Sequence, residues 1–188
     1  MVDRVSALAG HYSPGHHGDA GRTGVTLQDV GGLVLHQVAA WPESMDAVGK
    51  TLARLIGARA DAAAGPRMAT AGDDGAMLRI EPMKWWLVGI EAPAFDAEQA
   101  MTLDLSHSRT RLRVGGDDAA EFLNRHFPLD LREASFPVGS VASSATHHVG
   151  VTLWRSAEGY DLFVPRGFAL SLWQGFVESA AQFGLEIL

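Results

Sequence analysis

Alternation of apolar and polar residues predicts strands along much of this chain. Residues 25–30 alternate as a half-buried strand does, and residues 33–40, after Gly31 and Gly32, are predicted as a second strand. Apolar residues then recur at helical spacing from Met45 to Ile56, which predicts an amphipathic helix. Three more short strands follow, bounded by turn residues such as the Gly-Asp-Asp-Gly at 72–75: residues 67–71, 77–81 and 85–90.

The same order of elements recurs in the second half of the chain. Asp118 and Glu121 form a capping-box pattern, which predicts the start of a helix that Pro128 ends. Gly184 lies where a glycine is expected just after a helix. Strands are predicted over 103–106, 110–114, 140–146, 148–156, 160–165 and 185–188, and a long striped helix over 168–183.

Each half therefore predicts a β-α-β-β unit. Two such units imply an α+β fold with mixed sheets and helices on one face. The polar segment 91–100 contains a proline and is the best boundary, so we predict one domain over 25–188 made of halves 25–92 and 101–188. Residues 1–24 are rich in Gly and His and poor in large apolar side chains, which predicts a flexible arm.

Charge and composition exclude several classes of protein. The chain has 188 residues, a net charge of −7 and no cysteine. The acidic balance argues against nucleic acid and anionic membrane surfaces as partners, since binding phosphates requires a basic face. The lack of cysteine excludes disulfides, thiolate metal sites and iron–sulfur clusters. No apolar run approaches the roughly 20 residues of a membrane span, and no signal peptide is visible, so we expect a soluble cytoplasmic protein.

One motif suggests a nucleotide-binding enzyme. The segment Gly49-Lys50-Thr51 ends like a phosphate-binding loop, but Ser44 stands where the first glycine belongs. The apolar stripe of the predicted helix also passes straight through Gly49. A plain amphipathic helix is therefore favoured, and nucleotide binding remains a third hypothesis.

Two groups of residues have the composition of catalytic or metal sites. Asp104, Ser106 and His107 are the residue types of a nucleophilic triad, and His147 with His148 could bind a metal. Adjacent residues of a strand point to opposite faces, so neither group is expected to converge. We predict no catalytic, cofactor-binding or metal-binding residue in this chain.

Two features are candidates for a partner interface. Arg109, Arg111 and Arg113 alternate with apolar residues, which places three guanidinium groups on one face of a strand. Such a stripe suits carboxylates of a partner or an anion, whereas the alternative is a strand face paired with nearby acids. Trp85 and Trp86 are adjacent, so one of them should lie on an outer face and could anchor an interface.

Several stretches carry a family resemblance. They are LDLSHSRTRLRVGGDDAAEFLNRHFPLDLREASFPVG at 103–139, VGVTLWRS at 149–156 and YDLFVPRGFALSLW at 160–173. Together they resemble the gamma subunit of heterotetrameric sarcosine oxidase. The segment RIEPMKWWLVG at 79–89 resembles another strand of that family, with Met83-Lys84 in place of an acidic pair. The resemblance covers roughly residues 25–188 and is strongest from 103 to 175.

The resemblance implies both a fold and a role. The fold would be that of the aminomethyltransferase, or T-protein, of the glycine cleavage system. The role would be that of an accessory subunit in a complex that oxidatively demethylates sarcosine or a related N-methyl amino acid. FAD, FMN, NAD and tetrahydrofolate would lie on the larger alpha and beta subunits, which are the expected partners. The alternative is a free-standing folate-binding protein of one-carbon metabolism, which would need a carboxylate in a central pocket to hold the pterin.

Overall fold

The computed structural model describes residues 5–18 and 21–188. In chain order its strands are β1 Gly15–His17, β2 Val25–Asp29, β3 Leu35–Ala40, β4 Ala69–Ala71, β5 Ala76–Glu81, β6 Lys84–Val88, β7 Ala100–Asp104, β8 Arg109–Gly115, β9 Val141–Thr146, β10 Val149–Ser156, β11 Gly159–Pro165 and β12 Leu185–Ile187. Its α-helices are α1 Met45–Leu55, α2 Ala119–Asn124 and α3 Ala169–Ala180. Three short 3-10 helices cover Ala60–Ala62, Arg166–Phe168 and Ala181–Phe183.

The chain divides into two compact units, and each unit is built from more than one segment of the chain. The first unit contains Met1–Gly31, Ser108–Val138 and Ser143–Leu188, and the second contains Gly32–His107 and Gly139–Ala142. None of the described helices is long and apolar enough to cross a membrane.

A seven-stranded sheet forms the centre of the first unit. Its strand order is β1-β12-β2-β8-β11-β10-β9, and it is mixed because β12 and β2 run parallel. The register aligns Leu112 with Leu162 and Val114 with both Leu27 and Tyr160, so these buried side chains share one face. Strand β8 therefore contributes every second residue to the core.

A five-stranded sheet forms the second unit, in the order β4-β5-β6-β3-β7, and all four of its strand pairs are antiparallel. Helix α1 covers one face because its apolar stripe repeats at helical spacing. That packing forms a core of buried residues from the helix and the sheet, which includes Val38, Val48, Leu52, Ile56, Met77, Trp85 and Leu87.

The α+β class is confirmed, but the predicted halves differ from the observed units. Strand β2 pairs with β8 and β12, although it opens the first predicted half. Strand β7 pairs with β3, although it opens the second. Each predicted half thus contributes its first strand to the sheet of the other half. Such pairing depends on contacts between residues that are far apart in the sequence, which a local pattern does not reveal. The second sheet is antiparallel rather than mixed.

The described part of the N-terminal arm packs against the first unit, where a flexible arm was predicted. Leu8 is fully buried, and the rings of Tyr12 and Trp173 lie 5.5 Å apart. Arg166 donates a hydrogen bond of 2.6 Å to the carbonyl of Val5, and β1 adds an antiparallel strand to β12. Strand pairing uses backbone groups, so it needs no apolar composition. Residues 1–4 and 19–20 of the predicted arm lie outside the described residues.

The predicted capping box does not form. The carboxylate of Asp118 pairs with Arg22, and that of Glu121 pairs with Arg125 one turn later at 3.0 Å. No side-chain hydrogen bond caps α2, which is six residues long. The prediction for Gly184 is confirmed, since its φ of +70° lies in the left-handed region that follows a helix.

We expect Leu8→Ala to lower the free energy of unfolding by about 2–4 kcal/mol, because the substitution empties a fully enclosed site. Leu188→Ala is the control, since Leu188 is 54% exposed and its truncation should cost less than about 0.5 kcal/mol. Urea unfolding measures both. Equal effects would mean that the arm is detached in solution.

Candidate functional site

Arg111 and Arg113 point to one face of β8, as predicted, but their charges are neutralised within the chain. The register places Arg113 opposite Asp161 of β11 and Arg111 opposite the next residue of that face, Phe163. Asp161 is fully buried, and its Oδ1 accepts hydrogen bonds from Nε of Arg111 at 2.9 Å and Nε of Arg113 at 3.0 Å. A charged donor strengthens each of these hydrogen bonds.

Other groups complete the environment of the two guanidinium groups. Arg113 also pairs with Glu158, and the guanidinium of Arg111 lies 5.6 Å from the ring centre of Trp154. The Arg111 and Arg113 side chains are only 15% and 18% exposed. The alternative interpretation, a strand face paired with nearby acids, is therefore correct for these two arginines. Their side chains are more buried than those of a solvated strand face would be.

Arg109 differs from the other two members of the stripe. It is half-buried, its Nη1 donates to the carbonyl of Ser108 at 3.3 Å, and burial lowers the pKa of its guanidinium. The stripe thus contains one arginine on a local backbone contact and two that share a buried carboxylate. Asp161 was missed at the sequence level, although a lone acid in the apolar strand 160–165 was a visible signal.

Trp85 and Trp86 are both buried, at 2% and 4% exposure, so the expectation that one lies on an outer face is wrong. Strand β6 lies inside its sheet between β5 and β3, and both of its faces are covered. The guanidinium of Arg79 lies 5.3 Å from the ring centre of Trp85, and Nε1 of Trp86 donates to Gln37 at 3.3 Å. Neither indole is available as a surface anchor in this chain.

The helical interpretation of Gly49-Lys50-Thr51 is confirmed, since all three residues lie inside α1. Nζ of Lys50 donates to Asp46 one turn earlier at 2.6 Å, and Oγ1 of Thr51 donates to the carbonyl of Ala47 at 2.9 Å. The side chains of Lys50 and Thr51 therefore form hydrogen bonds within α1.

Ser106 and His107 lie in the turn after β7, although the predicted strand 103–106 included Ser106. Oγ of Ser106 accepts a hydrogen bond from the amide of Leu35 at 2.9 Å. Oδ1 of Asp104 accepts one from the amide of Ser106 at 2.8 Å, and the Ser106 hydrogen bonds lower the pKa of the Asp104 carboxyl. The serine and aspartate therefore hold a tight turn.

His147 and His148 form the turn between β9 and β10, with φ of +46° and +66°, where the sequence pattern placed His148 in a strand. Two consecutive positive φ values are typical of a type I′ hairpin turn. The ring of His147 lies 6.3 Å from that of His126, and Nε2 of His126 is 2.9 Å from Oγ of Ser179. Within residues 5–18 and 21–188, no group of three or more His, Asp or Glu side chains could hold a metal ion.

Among the cavities that the described residues form, two with charged side chains in their lining lie beside β8 and α1. One in the first unit, of about 430 Å³, is lined by the glycines of 115–116 and by Arg155, which lies 4.3 Å from the ring centre of Tyr160 and 3.8 Å from Glu133. The other lies along α1 in the second unit, has about 400 Å³, and is lined by residues such as Lys50.

No protein-family model matches the chain. It is 31% identical over 122 residues to the gamma subunit of sarcosine oxidase from Arthrobacter sp, which is 65% of this chain and 60% of that subunit. It is 29% identical over 153 residues to the gamma subunit from Corynebacterium sp. strain U-96, which is 78% of this chain and 74% of that subunit. The chain is thus similar in sequence to three sarcosine oxidase gamma subunits. It spans about 60% of the length of the Arthrobacter relative.

Solved structures show the same fold. A chain of the heterotetrameric sarcosine oxidase from Corynebacterium sp. U-96, in complex with pyrrole 2-carboxylate, matches with a TM-score of 0.77 and 23% identity over 96% of both chains. The glycine cleavage aminomethyltransferase T from Bartonella henselae matches with a TM-score of 0.62 and 17% identity, over 89% of this chain and 48% of that one. The T-protein-like fold predicted for the chain is confirmed.

We expect Asp161→Asn to lower the free energy of unfolding by about 2–4 kcal/mol, because it removes the buried counter-charge that two largely buried guanidinium groups share and leaves Arg113 only its exposed partner Glu158. Glu158→Gln is the matched control, since Glu158 pairs with the same Arg113 but is 65% exposed, and it should cost less than about 1 kcal/mol. Unfolding in urea measures the free energy of unfolding of both variants. Similar losses for the two would contradict a structural role for the buried carboxylate.

We expect the histidine environment to make stability fall in mild acid. Burial, assisted by His147 and Arg125, lowers the pKa of His126 below its ordinary 6.5. As the pH falls, His126 therefore binds a proton in the unfolded chain before it does so in the folded chain. Its contribution to the free energy of unfolding is present above pH 6.5 and is lost as the pH falls toward the pKa of His126 in the folded chain.

His126→Gln should reduce that decline, because glutamine can still hydrogen-bond to Ser179 but does not titrate. The measurement is urea unfolding from about pH 8 to about pH 5. His11→Gln, at an exposed position, is the control and should leave the slope unchanged. An identical slope for His126→Gln and the wild type would exclude this source.

Proposed function

We propose that this chain is an accessory, non-catalytic subunit of a sarcosine-oxidase-type complex. The complex would oxidatively demethylate sarcosine or a related N-methyl amino acid, with FAD, FMN, NAD and tetrahydrofolate on larger alpha and beta subunits. The observation that carries the proposal is the sequence similarity to three gamma subunits, two of them at 30% identity or more. The fold match over 96% of a sarcosine oxidase chain supports it.

The local chemistry is consistent with such a role. Ser106 is engaged with Leu35, Lys50 with Asp46, and Asp161 with two arginines of the neighbouring strand. The residue types that could carry out catalysis thus hold the fold together where they are described. Of the predicted interface residues, Arg109 remains a candidate contact because of its place in the stripe, at the start of β8.

The alternative is a free-standing folate-binding protein of one-carbon metabolism. The fold match to the Bartonella aminomethyltransferase favours it, although the chain covers only 48% of that protein. Glu133 at the cavity of the first unit is a carboxylate that a pterin could use. Calorimetric titration of the isolated chain with tetrahydrofolate distinguishes the two proposals. Binding heat that disappears in Glu133→Gln supports the folate-binding protein, and the absence of binding heat in the wild type excludes it.

Co-expression tests the leading proposal. A tagged copy of the chain, expressed with the alpha and beta subunits of the same complex, should co-elute with both on gel filtration in a fraction that has flavin absorbance. The same large subunits expressed without the chain should give less intact complex or a complex that dissociates at lower urea concentration. Elution of the chain apart from an intact flavoprotein would contradict the accessory role.

A further inference from the structure

Strand β7 leaves one side of the second sheet open. It is the last strand in the order β4-β5-β6-β3-β7, and β3 is its one strand neighbour in the described sheet. Met101 and Leu103 point to the same face and are 58% and 55% exposed. Two large apolar side chains next to an open edge form an unusual combination on a protein surface.

The backbone of β7 presents hydrogen-bonding groups at this edge. The amide of Leu105 donates to the carbonyl of Leu35 at 2.8 Å, and the register continues without a shift through Leu103 and Met101. In an antiparallel pair alternate residues exchange both hydrogen bonds with the neighbouring strand. The N–H and C=O groups of Thr102 therefore face outward.

Of the usual protections of an edge strand, β7 has one charged side chain, Asp104 at its end, but no lysine, proline or bulge. Natural edges are kept short or carry lysine, proline or a bulge. Strand β4, at the other edge of the same sheet, has only three residues. Strand β7 has five, AMTLD, with neither lysine nor proline, and its pairing with β3 has no bulge.

The sequence around β7 indicates which charge would be favoured on a segment that pairs with this strand. Residues 91–104 contain Glu91, Asp96, Glu98 and Asp104 and no lysine or arginine. A segment that pairs with β7 would lie beside this acidic stretch, so positive charge on it would be favoured. Apolar residues at alternate positions would cover Met101 and Leu103.

We propose that the open edge of β7 binds an extended segment of a partner chain as an added strand. That segment carries lysine or arginine together with apolar residues at alternate positions. Main-chain hydrogen bonds supply affinity and the alternate side chains supply selectivity, as in other cases of strand addition. The proposal rests on the proposed function for the partner, which is one of the two large subunits.

Thr102→Pro tests the edge directly. The amide that proline removes faces outward, so the pairing with β3 is retained, and proline is tolerated at such edge positions. In the complex expressed with its large subunits, we expect this variant to weaken retention of the chain by about tenfold or more. The double variant Met101→Lys/Leu103→Lys should do the same by placing charges on the apolar contact. Val138→Lys is the control, since Val138 is likewise exposed, at 52%, but lies away from β7 in the sequence.

Hydrogen exchange of the assembled wild-type complex supplies an independent readout. The amide of Thr102 should exchange more slowly in the complex than in the isolated chain. An intact complex with no protection there, and with both β7 variants retained as well as the wild type, would overturn the edge proposal and leave the accessory role standing. Absence of any complex would overturn the accessory role itself. A dimer of the isolated chain that Thr102→Pro abolishes would assign the edge to a second copy and overturn the proposed occupant.

Discussion

The buried carboxylate of Asp161 determines how the central strands of the first unit meet. It lies on β11 and accepts hydrogen bonds from two guanidinium groups of β8. A shift of one residue between these strands would turn the arginines toward the apolar face that holds Leu112 and Val114. Burying two charges without a partner costs several kcal/mol, so the ionic contact selects one register. Strand β2 pairs with β8, and β12 pairs with β2, so the rest of the sheet follows from that choice.

Local periodicity was sufficient to locate most elements, but it could not identify their partners. The strands over 25–30 and 160–165 and the helix from Met45 were predicted close to their observed positions, because their patterns are set by immediate neighbours. The exchange of β2 and β7 between the two sheets depends on pairing across about 60 to 90 residues, which no local pattern encodes. Strand β1 was missed because Gly15–His17 has no large apolar residue, and it pairs with β12 through its backbone and through the contact of His16 with Glu186.

The candidate site shows the same division between what is local and what is not. The period of two placed Arg111 and Arg113 on a common face, and that was correct. Whether their charge is free depends on Asp161, which is 50 and 48 residues away. For Trp85 and Trp86 the alternation was also correct, but both faces of β6 are buried. The continuous apolar run from Trp85 to Val88 is typical of such an internal strand.

A docking surface needs groups that remain unsatisfied in the isolated chain, and this criterion separates the two candidate strands. The guanidinium groups of Arg111 and Arg113 already have a buried carboxylate, so using them for a partner would require breaking that contact. Strand β7 has outward backbone groups at Thr102 and two exposed apolar side chains, so a partner strand gains contacts there without disrupting existing ones. Because backbone groups do not depend on side-chain identity, such an edge would keep its binding geometry while the surrounding sequence changes. An accessory subunit of this kind would contribute the β7 edge as a template for an extended segment, while the buried charges of the first unit hold the register of their own sheet.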